Sequence, residues 1–165
     1  MPKTEDDLPI GKPIPVDGKV HYDEGIHIGY RAWLKTGTEP AYAFGLGLGY
    51  TTWSFDGAVV PDEVVAGSSF TATVGITNTG DRRGKQVVQA YAERADSEFD
   101  RPVRWLIGFA ELTLEAGESR DVDIVVPARE LACYDDGWQY EPGVFEIYAG
   151  FSVTDTPGRG RVRLA

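Results

Sequence analysis

Apolar and polar residues alternate along two segments of the chain. Between residues 70 and 77, phenylalanine, alanine, valine and isoleucine occupy the even positions, and threonine occupies 71, 73 and 77. In residues 121–126, valine and isoleucine at even positions alternate with aspartate at 121 and 123. Because successive side chains of a strand leave its opposite faces, each segment predicts a strand with one face in a core and the other in water.

Strand-forming residues recur between turns rich in Gly, Pro or Asp over the rest of the chain. Seven strands are predicted, at about 50–56, 69–78, 85–93, 105–114, 119–126, 143–150 and 159–164. Short strands at this spacing are typical of a β-sandwich. The one helical turn predicted lies at 127–133, where Pro127 suits a first helical position. The predicted fold is an all-β antiparallel sandwich.

The N-terminal region has a different pattern. Residues 1–43 show neither a period of two nor one of 3.6. Five prolines remove backbone donors and favour extended chain before them, so no stable helix is expected. They occupy positions 2, 9, 13, 15 and 40. Within this region His21–Trp33 is the one apolar segment, and it predicts a short strand or a helix-turn in an otherwise extended arm.

A glycine-rich connector joins this arm to the predicted sheet. Glycine stands at 45, 47 and 49, and Leu46 and Leu48 lie between them. Glycine leaves the backbone free to pass close to another segment, while the leucines remain as apolar anchors. From Tyr50 onwards aromatic and β-branched residues predict the first strand.

The connector carries a resemblance to a known family. Phe44–Trp53, with the preceding Tyr22–Arg31, resembles a signature near the C-terminus of family 3 glycoside hydrolases, the β-glucosidase family. Many members carry histidine at the position of Leu46. Further segments resemble the family's fibronectin type III-like domain in order, so that the resemblance covers nearly the whole chain. They are Thr77–Asp81, Val87–Tyr91, Leu106–Phe109, Leu114–Arg120, Glu141–Gly143 and Tyr148–Gly150.

The resemblance implies a division of the chain and a set of neighbours. Residues 50–165 would form an immunoglobulin/fibronectin type III-like sandwich, and residues 1–49 the tail of a preceding α/β domain. The implied partners are the catalytic barrel and the α/β sandwich domain of a parent enzyme. Contact with them is expected at Tyr30, Arg31, Phe44, Leu46, Leu48 and Tyr50. Without these neighbours, exposed apolar residues of the arm would favour a homo-oligomer.

A polar loop from Glu93 to Arg104 corresponds to a connection that approaches the catalytic domains in the family. Phe99, Asp100 and Arg101 are therefore its candidate substrate-entrance residues. This expectation rests on the resemblance alone.

Composition narrows the remaining classes of function. The formal charge of −10 argues against nucleic acid and anionic membrane surfaces as partners. Cys133 is the single cysteine, which rules out an internal disulfide. No apolar run reaches the roughly 18 residues of a spanning helix, and the N-terminus lacks a signal-peptide pattern. These features leave the localisation of a parent protein open.

No catalytic, metal or cofactor site is predicted. A retaining glycosidase needs two carboxylates about 5–5.5 Å apart. The neighbours Asp135 and Asp136 leave opposite faces of an extended chain and are better explained by a turn ending at Gly137, while Asp121 and Asp123 share a solvated face. The glycines of the connector lack the G-x-G-x-x-G spacing, and the two histidines lack metal-ligand spacing. The family's two catalytic carboxylates lie in domains outside this sequence, so a non-catalytic structural module is expected.

The tryptophans support an alternative. Trp33, Trp53, Trp105 and Trp138 would either anchor the core and interfaces or form a platform for sugar rings in an autonomous carbohydrate-binding module. Trp53 shares a strand face with Phe55, and Trp105 opens an apolar run, both of which favour burial.

Overall fold

Ten strands and one short α-helix organise the part of the chain that the computed structural model describes, residues 2–4, 7–8 and 14–165. A 3-10 turn covers Ala128–Leu131. The elements are α1 Tyr30–Thr36, β1 Trp53–Val59, β2 Glu63–Val64, β3 Ser69–Asn78, β4 Gly84–Glu93, β5 Trp105–Leu114, β6 Ser119–Pro127, β7 Cys133–Tyr134, β8 Trp138–Gln139, β9 Gly143–Gly150 and β10 Gly158–Leu164.

The strands form two stacked sheets and a separate ribbon. One sheet has the order β1-β3-β6, and the other has the order β2-β10-β9-β4-β5. Neighbouring strands are antiparallel except β2 and β10, which pair in parallel. β7 and β8 form a two-stranded ribbon outside both sheets. The predicted antiparallel sandwich is confirmed.

The core lies between the two sheets and follows the alternation in the sequence. On β3 the side chains of Phe70, Ala72, Val74 and Ile76 are buried, and the threonines between them face outward. β6 repeats the pattern, with Val122, Ile124 and Val126 inward and its aspartates exposed. Each large apolar side chain buried here stabilises the fold by about 1.5–3 kcal/mol.

Glycines lie where strands of the two sheets approach each other, at the contact of β5 with β6 and at the contact of β10 with β1. A methyl group at Gly108 on β5 would lie 2.8 Å from Cγ2 of Ile124 on β6. A methyl group at Gly158 on β10 would lie 2.4 Å from the ring of Phe55 on β1. The two sheets approach this closely because these positions carry no side chain.

The arm forms a third layer over part of the five-stranded sheet. In β4 all five residues from Val88 to Ala92 are buried. Val88, Ala90 and Ala92 belong to the core between the sheets. Gln89 and Tyr91 are buried on the other face, because residues 27–46 of the arm lie over it.

Three local expectations need correction. A helix forms in the proline-rich region, because Tyr30–Thr36 itself contains no proline, buries Ala32 and Trp33, and ends at Gly37 with a φ of 67°. The first strand begins at Trp53 and not at Tyr50, because Thr51 donates instead to the buried Asn78 Oδ1 at 2.6 Å. β2 and the ribbon were not predicted, although the turn at residues 135–137 is present.

Candidate functional site

Tyr30 anchors the arm to the sandwich near one end of β5. Its hydroxyl oxygen accepts a hydrogen bond of 2.9 Å from the backbone N–H of Leu106. Its ring stacks on Phe44 with the ring centroids 4.3 Å apart. Through these contacts, Tyr30 and Phe44 hold the start of helix α1 against the start of the connector, and Tyr30 holds both against β5.

A second anchor joins the connector to β4. Gln89 Nε2 donates hydrogen bonds to the carbonyl oxygens of Gly45, at 3.0 Å, and Phe151, at 2.9 Å. The Tyr91 hydroxyl donates to Gln89 Oε1. The backbone N–H of Val153 donates to the carbonyl oxygen of Phe44 at 2.9 Å.

Burial raises the pKa of Tyr91 above its usual range, the neighbouring Tyr30 raises it further, and Arg104 offsets part of the effect. A neutral phenol is thereby kept as a donor beneath the arm. Sequence analysis missed Gln89 and Tyr91 as site residues. Their only local signal is that they alternate with Val88, Ala90 and Ala92 in the middle of a strand.

The remaining predicted contact residues face away from the sandwich. Leu46 is 49% exposed, Leu48 is 91% exposed and Tyr50 is 93% exposed. These three residues form an apolar surface, the connector patch, on a segment whose neighbours Phe44 and Gly45 are bound to the sheet. Arg31 is half-buried, with its guanidinium carbon 5.9 Å from the Tyr30 ring centroid. The structure thus separates the six residues into three groups. Tyr30 and Phe44 stack on each other and bond to the module, Arg31 is half-buried beside Tyr30, and the other three are exposed on the connector.

An apolar cavity of about 620 Å³ lies between the arm and the loop after β9. The rings of Tyr30, Trp33 and Phe44 line one side, and Val153 lies on the other. Its volume is within the range of small-molecule sites. Its walls supply aromatic rings and one carboxylate, from Glu39, so it offers packing and not acid–base chemistry.

The loop from Glu93 to Arg104 is fixed from inside by the carboxylate of Glu141, which follows the ribbon. Glu141 accepts hydrogen bonds from the Ser97 hydroxyl at 2.7 Å, the Glu98 backbone N–H at 2.7 Å and Arg101 Nη2 at 3.1 Å. Arg94 Nη2 lies 3.4 Å from Glu141 Oε1, the oxygen that also accepts from the Glu98 N–H. All three charged side chains are nearly inaccessible, at 9%, 4% and 5% exposed for Glu141, Arg101 and Arg94. Sequence analysis did not identify Glu141 or Arg94, because their partners lie about 45 positions apart in the chain.

Burial on its own raises the pKa of Glu141, but hydrogen bonds from Ser97, the Glu98 N–H and Arg101 outweigh it. The pKa therefore lies below the ordinary value of 4.5. The carboxylate stays ionised and keeps the two guanidinium groups paired.

The three candidate entrance residues occupy different environments. The Arg101 side chain points inward, where it also donates to the carbonyl oxygen of Leu131 at 2.9 Å. Asp100 is exposed, and one of its carboxylate oxygens lies 2.9 Å from Nε2 of His27 on the arm. Phe99 is half-buried. A substrate passing this loop would meet Phe99 and Asp100, with Arg101 supporting the loop from below.

A retaining glycosidase would need two carboxylates close together in one cavity. One groove, beside β10, contains two carboxylates, Asp62 and Glu146. Glu146 is already bonded to Arg159 at 3.0 Å and to Arg161 at 2.6 Å. Asp121 and Asp123 are exposed on β6. Within residues 2–4, 7–8 and 14–165, no three His, Cys, Asp or Glu side chains are grouped to hold a metal ion.

The four tryptophans are divided between the interior and one exposed position. Trp33 and Trp105 are buried, and Trp53 packs against the core. Trp138 on the ribbon is 51% exposed. A flat platform of several tryptophans on a sheet face is therefore absent from the described residues.

Comparison with known proteins identifies the sandwich. Residues 86–153 match the model of the fibronectin type III-like domain. The chain is 37% identical over 154 residues to an Aspergillus fumigatus protein named "probable beta-glucosidase H", an alignment that covers 90% of this chain. The chain is a fibronectin type III-like module of family 3 β-glucosidases.

Solved structures agree with this assignment. The module superimposes on the GH3 β-glucosidase of Bifidobacterium adolescentis with a TM-score of 0.90 and 30% identity, over 99% of this chain and 25% of the other. With β-glucosidase 3B of Thermotoga neapolitana the TM-score is 0.86 and the identity 34%, over 98% and 23%. The module spans 19% of the length of the Aspergillus relative. The described residues contain no helix long and apolar enough to cross a membrane.

Proposed function

We propose that this chain is the non-catalytic structural module of a larger β-glucosidase-type enzyme that hydrolyses O-glycosyl bonds in carbohydrates. The connector patch carries the proposal. Leu48 and Tyr50 are almost fully exposed, yet their segment is fixed at both ends, by the bond from Gln89 to the Gly45 carbonyl oxygen and by the bond from Thr51 to Asn78. An apolar surface held this rigidly is suited to bury itself against another domain.

The proposed neighbours are the catalytic barrel and the α/β sandwich domain of the parent. The connector patch would pack on the α/β domain, and the loop with Phe99 and Asp100 would border the route of substrate to the barrel. Catalysis would remain with those domains, because the carboxylates in the cavities of the module are exposed or paired with arginine.

The test uses the parent enzyme, with its other domains present. Replacing Leu48 and Tyr50 together by Asp should lower the thermal stability of the parent and loosen the module, while the isolated module keeps its own melting temperature. Val59→Asp is the matched control, because Val59 is 71% exposed on β1 and away from the arm. Equal effects of the two changes on the parent would contradict docking through the connector patch.

The isolated module should not hydrolyse an aryl β-glucoside. Hydrolysis that co-purifies with the module and responds to substitutions within it would overturn the non-catalytic assignment. Without its neighbours the module should also self-associate through the connector patch, with a sedimentation coefficient that rises with concentration. A strictly monomeric result would count against that patch as an interface.

A further inference from the structure

The ribbon carries an exposed aromatic pair that the proposed docking does not use. Tyr134 and Trp138 lie directly opposite each other in its register and are 71% and 51% exposed. Their ring centroids are 5.5 Å apart at an interplanar angle of 80°. The Arg129 guanidinium carbon lies 5.2 Å from the Trp138 ring centroid. The two rings are therefore held at a right angle, and the indole is fixed by a cation on one face.

Hydrogen-bonding groups surround this pair. Asp135 and Asp136 form the turn between the two strands, and both are exposed. No ion pair to a cationic side chain of the described chain involves either carboxylate. Gln139 adds an exposed amide, whose nitrogen lies 3.3 Å from the carbonyl oxygen of Asp135. The ribbon tip, residues 134–139, thus combines aromatic surface with several free acceptors.

The base of the ribbon is braced against the loop from Glu93 to Arg104. Glu141 follows the ribbon and binds Ser97 and the Glu98 N–H, while Arg101 binds the carbonyl oxygen of Leu131 just before it. A binding group on a ribbon held in this way loses little conformational freedom when a ligand arrives.

We propose that the ribbon tip binds a β-linked gluco-oligosaccharide, with a pyranose ring against Trp138 and hydroxyl groups donating to Asp135 or Asp136. A sugar presents apolar C–H faces and hydroxyl donors together, which matches both parts of the tip. The core of a protein interface is instead depleted of Asp and Glu, and two unpaired carboxylates would be costly to bury there. The choice of β-linked glucose units rests on the proposed function.

Binding of a sugar to a single exposed pair of aromatic rings is expected to be weak. A pyranose unit of about 12 heavy atoms at roughly 0.3 kcal/mol per atom gives a Kd on the order of 1 mM. The experiment therefore titrates the full 165-residue chain with cellotriose and, separately, laminaritriose, and follows the indole N–H signals by NMR. The Trp138 signal should shift and saturate, while the signals of buried Trp33 and Trp105 stay in place.

Trp138→Ala should weaken binding by up to about tenfold, which is about 1.4 kcal/mol for the aromatic contact. Because this variant lacks the Trp138 indole, its binding is followed through the backbone amide signals of the ribbon. The double change Asp135→Asn and Asp136→Asn should weaken it without disturbing the fold. Tyr50→Ala is the control, because it removes an exposed aromatic ring from the connector patch and should leave sugar binding unchanged. Unaltered melting temperatures confirm that each variant is folded.

Three results would overturn the proposal. The first is no saturable shift of the Trp138 signal with either trisaccharide, and the second is unchanged binding in Trp138→Ala. The third is a Trp138 signal that moves with protein concentration and ignores sugar, which would assign the tip to a protein contact. None of these results bears on docking through the connector patch, so the two proposals fail independently.

Discussion

Gln89 on β4 donates a hydrogen bond of 3.0 Å to the carbonyl oxygen of Gly45, at the start of the connector. Gly45 has a φ of 85°, and a methyl group there would lie 1.9 Å from Gln89 Oε1. The backbone can make this contact only because position 45 has no side chain and tolerates a left-handed conformation. The contact fixes the direction in which the connector leaves the sandwich.

Gly45→Ala should therefore lower the free energy of unfolding by about 2 kcal/mol or more, through backbone strain and loss of the Gln89 bond. Gly47→Ala is the control, because nothing lies within 4 Å of a methyl group at that position. The control should change stability by less than about 0.5 kcal/mol. Denaturant unfolding of both variants measures the difference, and equal losses would show that the Gly45 contact is not specific.

The raised pKa of Tyr91 predicts how the stability of the module changes at alkaline pH. Its pKa is raised from an ordinary value of 10.0, mainly by burial. The unfolded chain therefore ionises first, so this contribution to stability is complete below pH 10 and is lost as pH rises above it. Tyr91→Phe should cost about 1–2 kcal/mol at neutral pH, because the Gln89 acceptor loses its donor.

The same variant should remove a slope of about 1.4 kcal/mol per pH unit above pH 10. Unfolding curves between pH 9 and 11 measure this slope. Tyr50→Phe, at a phenol that is 93% exposed, is the control and should follow the wild-type curve. A wild-type slope in Tyr91→Phe would mean that the phenol ionises as readily in the fold as outside it.

The lowered pKa of Glu141 leads to the opposite prediction for stability at acid pH. Its pKa lies below the ordinary 4.5, so its contribution to stability is present above about pH 4.5 and is lost as pH falls through the lower value of the folded state. Glu141→Gln should cost about 3 kcal/mol at pH 7, because two buried guanidinium groups lose their carboxylate. Its stability should also depend less on pH between 5 and 3.

Glu98→Gln is the control for the same loop, since only the backbone N–H of Glu98 bonds to Glu141. Acid unfolding followed by circular dichroism compares the variants. If the two variants lose the same stability, the loop does not depend on the Glu141 carboxylate.

The arm should fold with the sandwich even if it continues a neighbouring domain. A fragment of residues 51–165 would uncover Tyr91, which is fully buried in the module, together with Gln89 and Leu106. Since one large side chain contributes about 1.5–3 kcal/mol on burial, the fragment should be at least about 3 kcal/mol less stable than residues 14–165. Thermal and denaturant unfolding of both fragments test this. If the two fragments are equally stable, the arm does not belong to the folding unit, and the predicted domain boundary between residues 49 and 50 is supported.

The sandwich could be predicted closely because its information is local. The strands at 69–78, 105–114 and 143–150 have the predicted bounds, since alternation and turn residues define each of them without reference to the others. The arm could not be placed in the same way. Gln89 and Tyr91 are buried by a segment about 45 residues earlier in the chain, and no pattern within β4 identifies that partner.

The candidate site shows the same limit. Leu48 and Tyr50 project outward, and their contact with a neighbouring domain stays a prediction. Arg101 was expected at a substrate entrance because the family resemblance places its loop near the catalytic domains. Its inward position depends on Glu141, 40 residues later, whose E-P-G context indicates only a turn.

Gly108 and Gly158 let the facing strands of the two sheets lie closer together than a side chain at these positions would allow. Exposed strand edges are what allow strands of separate molecules to pair and seed fibrils. A larger residue at either position would push the facing strands apart and uncover their edges. These two glycines therefore protect the module against strand pairing between copies.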